Sequence, residues 1–384
     1  MGSIDVTDSR HYFDWAATAI PDILPLDNFP FGNPSSPHRE GRDARDALED
    51  ARTRCAIALG VPAETVYFTS GGTESNCIPL YSHFARQSSG RILTSAGEHS
   101  SIMENMQTFE RMGKPAGRIP IDYSGRVTPA LLSKALEKYS DVRFAAIMLV
   151  NNEIGTVNDI GELGSIIRGV EGPPIHFHCD MVQAAGKIKM DISNWGVDSA
   201  SFSAHKLGGP RGIGLLYLRL PLEVLYSGGG QEKNIRPGTE NVAGAIALAQ
   251  CLENHGLPGK IDAELADARR RWERLLGAFM EMDRCRLIPS DRKPGDDGFS
   301  PYIVQSAFQD IPGEVMTRAL DDLGFAVSTG SACSSASPER PVLAAMGVSD
   351  SLSLEGIRIS QGWTTTNEEI DLLLAAIMEV LSFL

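Results

Sequence analysis

The sequence predicts an α/β protein with a mainly parallel sheet, followed by a smaller α+β region. Two observations carry this reading. From about residue 40 to 250, short apolar β-type runs alternate with helical patterns. Successive runs also end in polar clusters, as expected at the carboxyl edge of an open α/β sheet, where ligands bind. The chain has 384 residues, enough to bury a sizeable core and to form two domains.

The first helical stripe is Ala44, Ala47, Leu48, Ala51, Cys55, Ala58, Leu59, an apolar face at helical spacing. The strand candidates are 65–69, 91–95, 143–150, 175–179, 200–204 and 213–218. The first four lead into "SGGTESN", "AGEHSS", "NNEIG" and "DMVQ", and the run ending near Ser203 leads into "AHK". A helical stretch follows at roughly 243–280, with "NHGLPGK" marking a domain boundary near 255. Beyond it "PYIVQSAF" and "GIRIS" read as strands, and 366–383 as a terminal amphipathic helix. The expected division is a large domain over 15–255 and a small one built from 1–14 and 256–384.

Composition narrows the function. Apolar residues make up 42% and charged residues 22%, ordinary values for a globular protein. The net charge of −14, without long single-sign runs, argues against a nucleic-acid partner. The apolar runs "FAAIMLV" and "DLLLAAIMEVL" are too short to span a membrane. The N-terminus has no apolar signal-peptide stretch, so a cytoplasmic protein is expected. Six cysteines without a Cys-x-x-Cys pair do not make a disulfide framework. His176, His178 and Cys179 could suggest a metal, but strand alternation explains their spacing, and no metal is expected.

The polar clusters describe one composite site. In "TSGGTESN", glycines let the backbone approach an anion at a helix N-terminus, a phosphate cup including Gly72 and Thr73; alone it could equally be a capping box. Lys206 in "SFSAHKLGGPRGIG" stands just after a strand, beside Ser203 and His205, where it can form a Schiff base with an aldehyde cofactor. Asp180, at another strand's end, suits a carboxylate that pairs with a pyridinium nitrogen, or an ordinary helix cap. His99 could stack on a flat ring or shuttle protons, and Arg358 could fork a carboxylate. Together these residues describe a pyridoxal 5'-phosphate site. Cys333, in "STGSACSSAS", lies on no apolar stripe and stands among very small side chains, unlike a packed structural thiol.

The ordered series "YFDWAATA", "GNPSSPHREGR", "FTSGGTESN", "NNEIGTV", "CDMVQAAGK", "SFSAHKLGGPRGIG", "RPGTENV", "STGSACSSAS" and "IRISQGWTTTNEEID" closely resembles the cysteine desulfurases. These are the class-V aminotransferase branch of fold-type-I pyridoxal-phosphate enzymes. The resemblance implies a seven-stranded, mainly parallel sheet and a smaller α+β C-terminal domain carrying the Cys333 loop. It implies that Lys206 is the Schiff-base residue, Asp180 the partner of the ring nitrogen, and Gln183 the partner of the ring hydroxyl. His99 would stack on the ring and assist proton transfer, while Gly72, Thr73, Ser203 and His205 would hold the phosphate. Asn152 would lie near cofactor and substrate, and Arg358 would take the substrate carboxylate. Thr239 would reach the phosphate of a neighbouring subunit, implying a homodimer with shared active sites. Cys333 would become a persulfide on removing sulfur from L-cysteine, leaving L-alanine. A sulfur-acceptor protein would follow, serving iron–sulfur cluster assembly or tRNA thiolation. Selenocysteine lyase, another class-V lyase or transaminase, and an inactive scaffold partner are the alternatives. Departures from the family pattern include Trp15 in "DWAATAI" and Gln361 in "ISQG", both expected at rim or partner contacts.

Overall fold

The computed structural model describes residues 10–22, 29–85, 90–330 and 340–384. After a two-residue strand, β1 (His11–Tyr12), and helix α1 (Arg39–Leu59), the chain builds seven strands into one sheet. These are β2 (Val66–Thr69), β3 (Arg91–Ser95), β4 (Ala116–Ile119), β5 (Val142–Ala146), β6 (His176–Asp180), β7 (Ser199–Ser203) and β8 (Gly214–Leu218). Their spatial order is β2-β8-β7-β6-β5-β3-β4, parallel throughout except for β8, which is antiparallel to both neighbours. The core strands are buried on both faces because helices cover both, which explains their near-continuous apolar runs. Strand β4, "AGRI", was not among the expected strands. Only two of its residues are buried, and it pairs with β3 alone at the sheet edge, so its sequence carries little apolar signal.

Helix α1 buries the expected stripe, including Cys55, except for the half-buried Ala47, and ends at Gly60, whose φ of +66° places it in the left-handed region. The expected stretch 243–280 is two helices, Val242–Cys251 and Pro258–Glu281, separated by a π-type turn at Leu252–Gly256. Pro258 cannot donate a backbone N–H, so it starts the second helix instead of continuing the first. A three-stranded antiparallel sheet then follows, β12-β10-β9, from β9 (Cys285–Ile288), β10 (Ile303–Phe308) and β12 (Gly356–Ser360). β1 pairs in parallel with β11 (Phe325–Ala326) in a separate two-stranded sheet, and a bridge between Asp14 and Ser360 ties the N-terminal segment to β12. The last helix, Asn367–Phe383, begins with a Thr366/Glu369 capping box. Among the described residues, no helix is long and apolar enough to cross a membrane.

The expectation that Trp15 and Gln361 sit at rim or partner contacts is corrected. Trp15 is 2% exposed and packs edge-on against Trp363, with ring centroids 5.6 Å apart. Gly362 makes the room, since a Cβ there would lie 2.0 Å from the Trp15 ring. Gln361 is fully buried and donates to the carbonyls of Ala268 and Pro301. Both are internal packing residues.

A buried ion pair locks the loop after β8. Arg52 of α1 donates to both carboxylate oxygens of Glu232 at 2.7 and 2.8 Å and to the Val66 carbonyl at 2.8 Å. Glu232 also accepts from the Phe68 amide at 2.8 Å. Glu232, Lys233 and Asn234 hold φ values of +46°, +53° and +67°, unfavourable for side-chain-bearing residues. Such a run persists where surrounding contacts over-determine it, as this pair does. Glu232→Ala leaves the Arg52 charge buried without its main partner. It should lower the unfolding free energy by about 3–5 kcal/mol in urea denaturation, and a loss below about 1 kcal/mol would contradict this role.

Candidate active site

The sheet order brings distant segments together. Gly214 of β8 faces Thr69 on one side and Ser203 on the other, so the "SGGT" turn lies beside the "SAHK" turn. A Cβ on Gly214 would sit 2.5 Å from the Gly71 Cα, so only glycine permits this approach. The adjacent carboxyl ends of β3, β5, β6 and β7 add His99, Asn152, Asp180 and Lys206. A cavity of about 210 Å3 opens there. Gly72, Thr73, His99, Asn152, Asp180, Gln183, Ser203, His205, Lys206 and Arg358 all line it. Of the expected site residues, Thr239 is exposed and absent from this lining, and Cys333 lies outside the described residues.

Helix α2 (Gly72–Ala85) points its first turn at the cavity. Its N-terminal amides and dipole favour an anion. A Cβ on Gly72 would come within 2.7 Å of Val182. The turn is also tied by its own residues: the Ser70 amide donates to the Glu74 carboxylate, and Thr69 and Ser75 hydroxyls pair at 2.7 Å. Glu74 therefore closes the outer side of the turn while Gly72 and Thr73 face inward.

Asp180 is 4% exposed, and its carboxylate accepts from Asn76 Nδ2 at 2.7 Å and the Val182 amide at 2.9 Å. The Asn76 carbonyl oxygen faces His178 Nε2 at 2.9 Å, and His178 Nδ1 meets the Ser199 hydroxyl at 2.7 Å. Full burial and the neighbouring His176 push His178 down to about 3, so its ring is neutral. A neutral ring with Nε2–H donating to Asn76 fixes the amide so that Nδ2 must face Asp180. The two strand histidines thus serve packing and hydrogen bonding. Among the described residues, no group of three His, Cys, Asp or Glu side chains could hold a metal.

His99 caps helix α3 (Ser100–Arg111), its Nδ1 accepting from the Ser101 amide at 3.1 Å and facing the Ser101 hydroxyl at 2.9 Å. Burial and the Lys206 charge hold His99 below its ordinary pKa, against the pull of Asp180. His205 is driven down to about 4, first by burial and then by Lys206 and Arg211. Lys206 Nζ donates to the carbonyls of Ala16 and Ala17 at 2.5 and 2.6 Å. Arg358 of β12 donates from Nη1 to the Asn152 carbonyl at 2.9 Å and from Nη2 to Asp14 at 2.8 Å. Its Nε is buried and has no hydrogen-bond partner among the described residues.

These groups fit pyridoxal 5'-phosphate on chemical grounds. An amine, a buried carboxylate, a planar imidazole and an anion-binding helix end converge on one cavity, and an arginine N–H there lacks an acceptor. Asn76, Met148, Val182 and the Ala16–Ala17 backbone also line or order the site but were not foreseen. The position of Asn76 in "TESN", one helical turn after the glycines, was the available signal for it.

Five thiols, those of Cys55, Cys77, Cys179, Cys251 and Cys285, are free and lie at least partly buried. Burial pushes Cys55, Cys251 and Cys285 up to about 12, and raises Cys77 and Cys179 as well. The chain leading to Cys333 passes beside the cavity: Ser328 exchanges backbone hydrogen bonds with Arg358, at 3.1 and 2.5 Å. A Cβ placed on Gly330 would lie 3.8 Å from the carboxylate of Glu153, the neighbour of Asn152.

Comparison with known proteins agrees with this geometry. The aminotransferase class-V family model matches residues 12–373. A cysteine desulfurase IscS of Dictyoglomus turgidum is 37% identical over 94% of this chain and 91% of that protein. A NifS/IcsS protein homolog of Lactobacillus delbrueckii subsp. bulgaricus is 38% identical over 96% of each chain. A solved NifS-like protein superposes with a TM-score of 0.86 at 31% identity, covering 98% of this chain and all of that one. A NifS-like protein from Rickettsia africae gives a TM-score of 0.84 at 27% identity over 97% of this chain and 99% of that one. With the cavity at the sheet edge and this extent of likeness in hand, the chain belongs to the aminotransferase class-V family, in its cysteine desulfurase branch.

Proposed function

We propose that this protein removes sulfur from L-cysteine, releases L-alanine, and holds the sulfur as a persulfide on Cys333 for transfer to an acceptor protein. The observation that carries this reading is the convergence of Lys206, Asp180, His99 and the Gly72–Thr73 turn on one cavity, with Ser328 bonded through its backbone to Arg358 of the lining. Bound pyridoxal 5'-phosphate would supply an aldehyde that captures an amine and a ring that accepts electrons from the substrate's Cα. Gly72, Thr73, Ser203 and His205 would hold its phosphate, and Thr239 would reach the phosphate of a second subunit in a homodimer. Residues 15–255 would form the cofactor domain, and 1–14 with 256–384 the smaller domain.

Lys206 would hold the cofactor aldehyde, and its amine is the base available for the substrate's Cα proton. Asp180, fixed by Asn76 and the Val182 amide, would pair with the ring nitrogen and favour its protonated form. Gln183 would donate to the ring hydroxyl oxygen, and His99 would stack on the ring and assist proton transfer. Arg358 takes the substrate carboxylate, with its unpaired Nε as one available donor. Asn152 lies alongside. The Cys333 thiolate attacks the substrate sulfur, so an S–S bond forms as the substrate's Cβ–S bond breaks. The electron pair of the broken bond stays with the three-carbon fragment, which is protonated to alanine. Cysteine plus thiol therefore gives alanine plus persulfide, with no outside oxidant.

Two variants test the assignment. Lys206→Ala should abolish the yellow absorption band of the cofactor-loaded protein, and an unchanged band would refute the lysine assignment. Cys333→Ser should keep the band yet lose alanine formation from L-cysteine by about 100-fold or more, the scale of removing a nucleophile. Retained turnover in that variant would mean a lyase or transaminase that needs no thiol.

A further inference from the structure

A second lysine lies behind the cavity wall and takes no part in the chemistry above. Lys187, in "VQAAGK" after β6, is 2% exposed. Its Nζ makes one hydrogen bond among the described residues, to Gln183 Oε1 at 3.3 Å. Burial, with the charges of Lys206 and Arg358, lowers its pKa to about 7. An amine buried with a single partner is costly, and an apolar side chain of similar length would avoid that cost.

The partner explains the arrangement. On its other side Gln183 donates from Nε2 to the Ala16 carbonyl at 2.9 Å, the same carbonyl that receives Lys206 Nζ. An amide has one acceptor oxygen and two N–H donors. The Ala16 carbonyl only accepts, whatever the state of Lys187, and the Lys187 ammonium only donates. Turning the amide over would set oxygen against oxygen at one end and nitrogen against nitrogen at the other. With Oε1 and one N–H engaged, one Nε2–H remains, and Gln183 lines the cavity.

We propose that Lys187 is a positioning residue: it clamps the Gln183 amide so that its remaining N–H is offered to the ring oxygen of the cofactor. The inference rests on the pyridoxal-phosphate reading. An N–H donated to that oxygen stabilises its negative charge, and this lowers the pH at which the lysine–cofactor linkage loses its proton. Without the clamp the amide is free to turn, and the midpoint rises.

The test is a double-mutant cycle on the cofactor-loaded protein, reading the visible band against pH and the cofactor dissociation constant. Lys187→Met keeps the length and removes the donor. It should move the midpoint up by about 0.5 pH or more and weaken cofactor binding about threefold or more. Merely removing a nearby positive charge would also raise the midpoint, so the second background decides. In Gln183→Leu, where there is no amide to orient, Lys187→Met should leave the midpoint unchanged. An equal rise in both backgrounds, or no rise in the first, overturns the clamp. Should Lys187→Met fail to fold, Lys187→Leu is read in the same cycle. If the wild-type protein shows no visible band when loaded, the pyridoxal-phosphate reading itself fails, an outcome distinct from loss of the clamp alone.

Discussion

Asn76 donates to the Asp180 carboxylate at 2.7 Å and to the Ser101 hydroxyl at 2.9 Å, while its own carbonyl oxygen faces His178 at 2.9 Å. This one buried amide joins helix α2, strand β6 and the start of α3, and so sets the relation between Asp180 and His99. A carboxylate taken out of water without hydrogen bonds would neutralise itself. Here Asn76 and the Val182 amide hold the Asp180 side chain in place at the strand end, where a ring nitrogen would meet it. The neutral His178–Ser199 pair beneath gives the amide no reason to turn. The same logic recurs at Gln183, where acceptor and donor partners on opposite sides fix an amide facing the cavity.

Much of this was legible because chemistry-bearing residues stood directly after strand patterns. Asp180 closes β6, Lys206 follows β7, His99 follows β3, and Gly72 and Thr73 follow β2. A parallel sheet carries such positions to one edge whatever the intervening helices do. Asn76, Val182, Met148 and Lys187 were not foreseen, because their roles depend on contacts between elements far apart in sequence. Trp15 was misread for a related reason. Its burial depends on Trp363 and Gly362, more than 340 residues away, and nothing local shows that a glycine there opens the space. Strand β4 escaped notice because an edge strand with two buried residues leaves hardly any periodicity.

Cysteine placement separates structural thiols from the proposed reactive one. The five described thiols all have raised pKa values, dominated by burial, which suppresses the thiolate needed for attack. Cys179 is the instructive case. It adjoins Asp180 at the site, yet it is fully buried, and Glu98 and Asp180 raise it further. Proximity to the cavity therefore does not make it a nucleophile. Cys333 lies outside the described residues, and the chain before it, at Ser328 and Gly330, stands beside Arg358 and Glu153.

The central claim is that one thiol, Cys333, receives the sulfur. Mass spectrometry of peptides from the cofactor-loaded protein, after brief exposure to L-cysteine and alkylation, tests it most directly. One added sulfur atom is expected on the Cys333 peptide and none on those of Cys77 or Cys179. Added sulfur on either of the latter, with the Cys333 peptide unchanged, would contradict it.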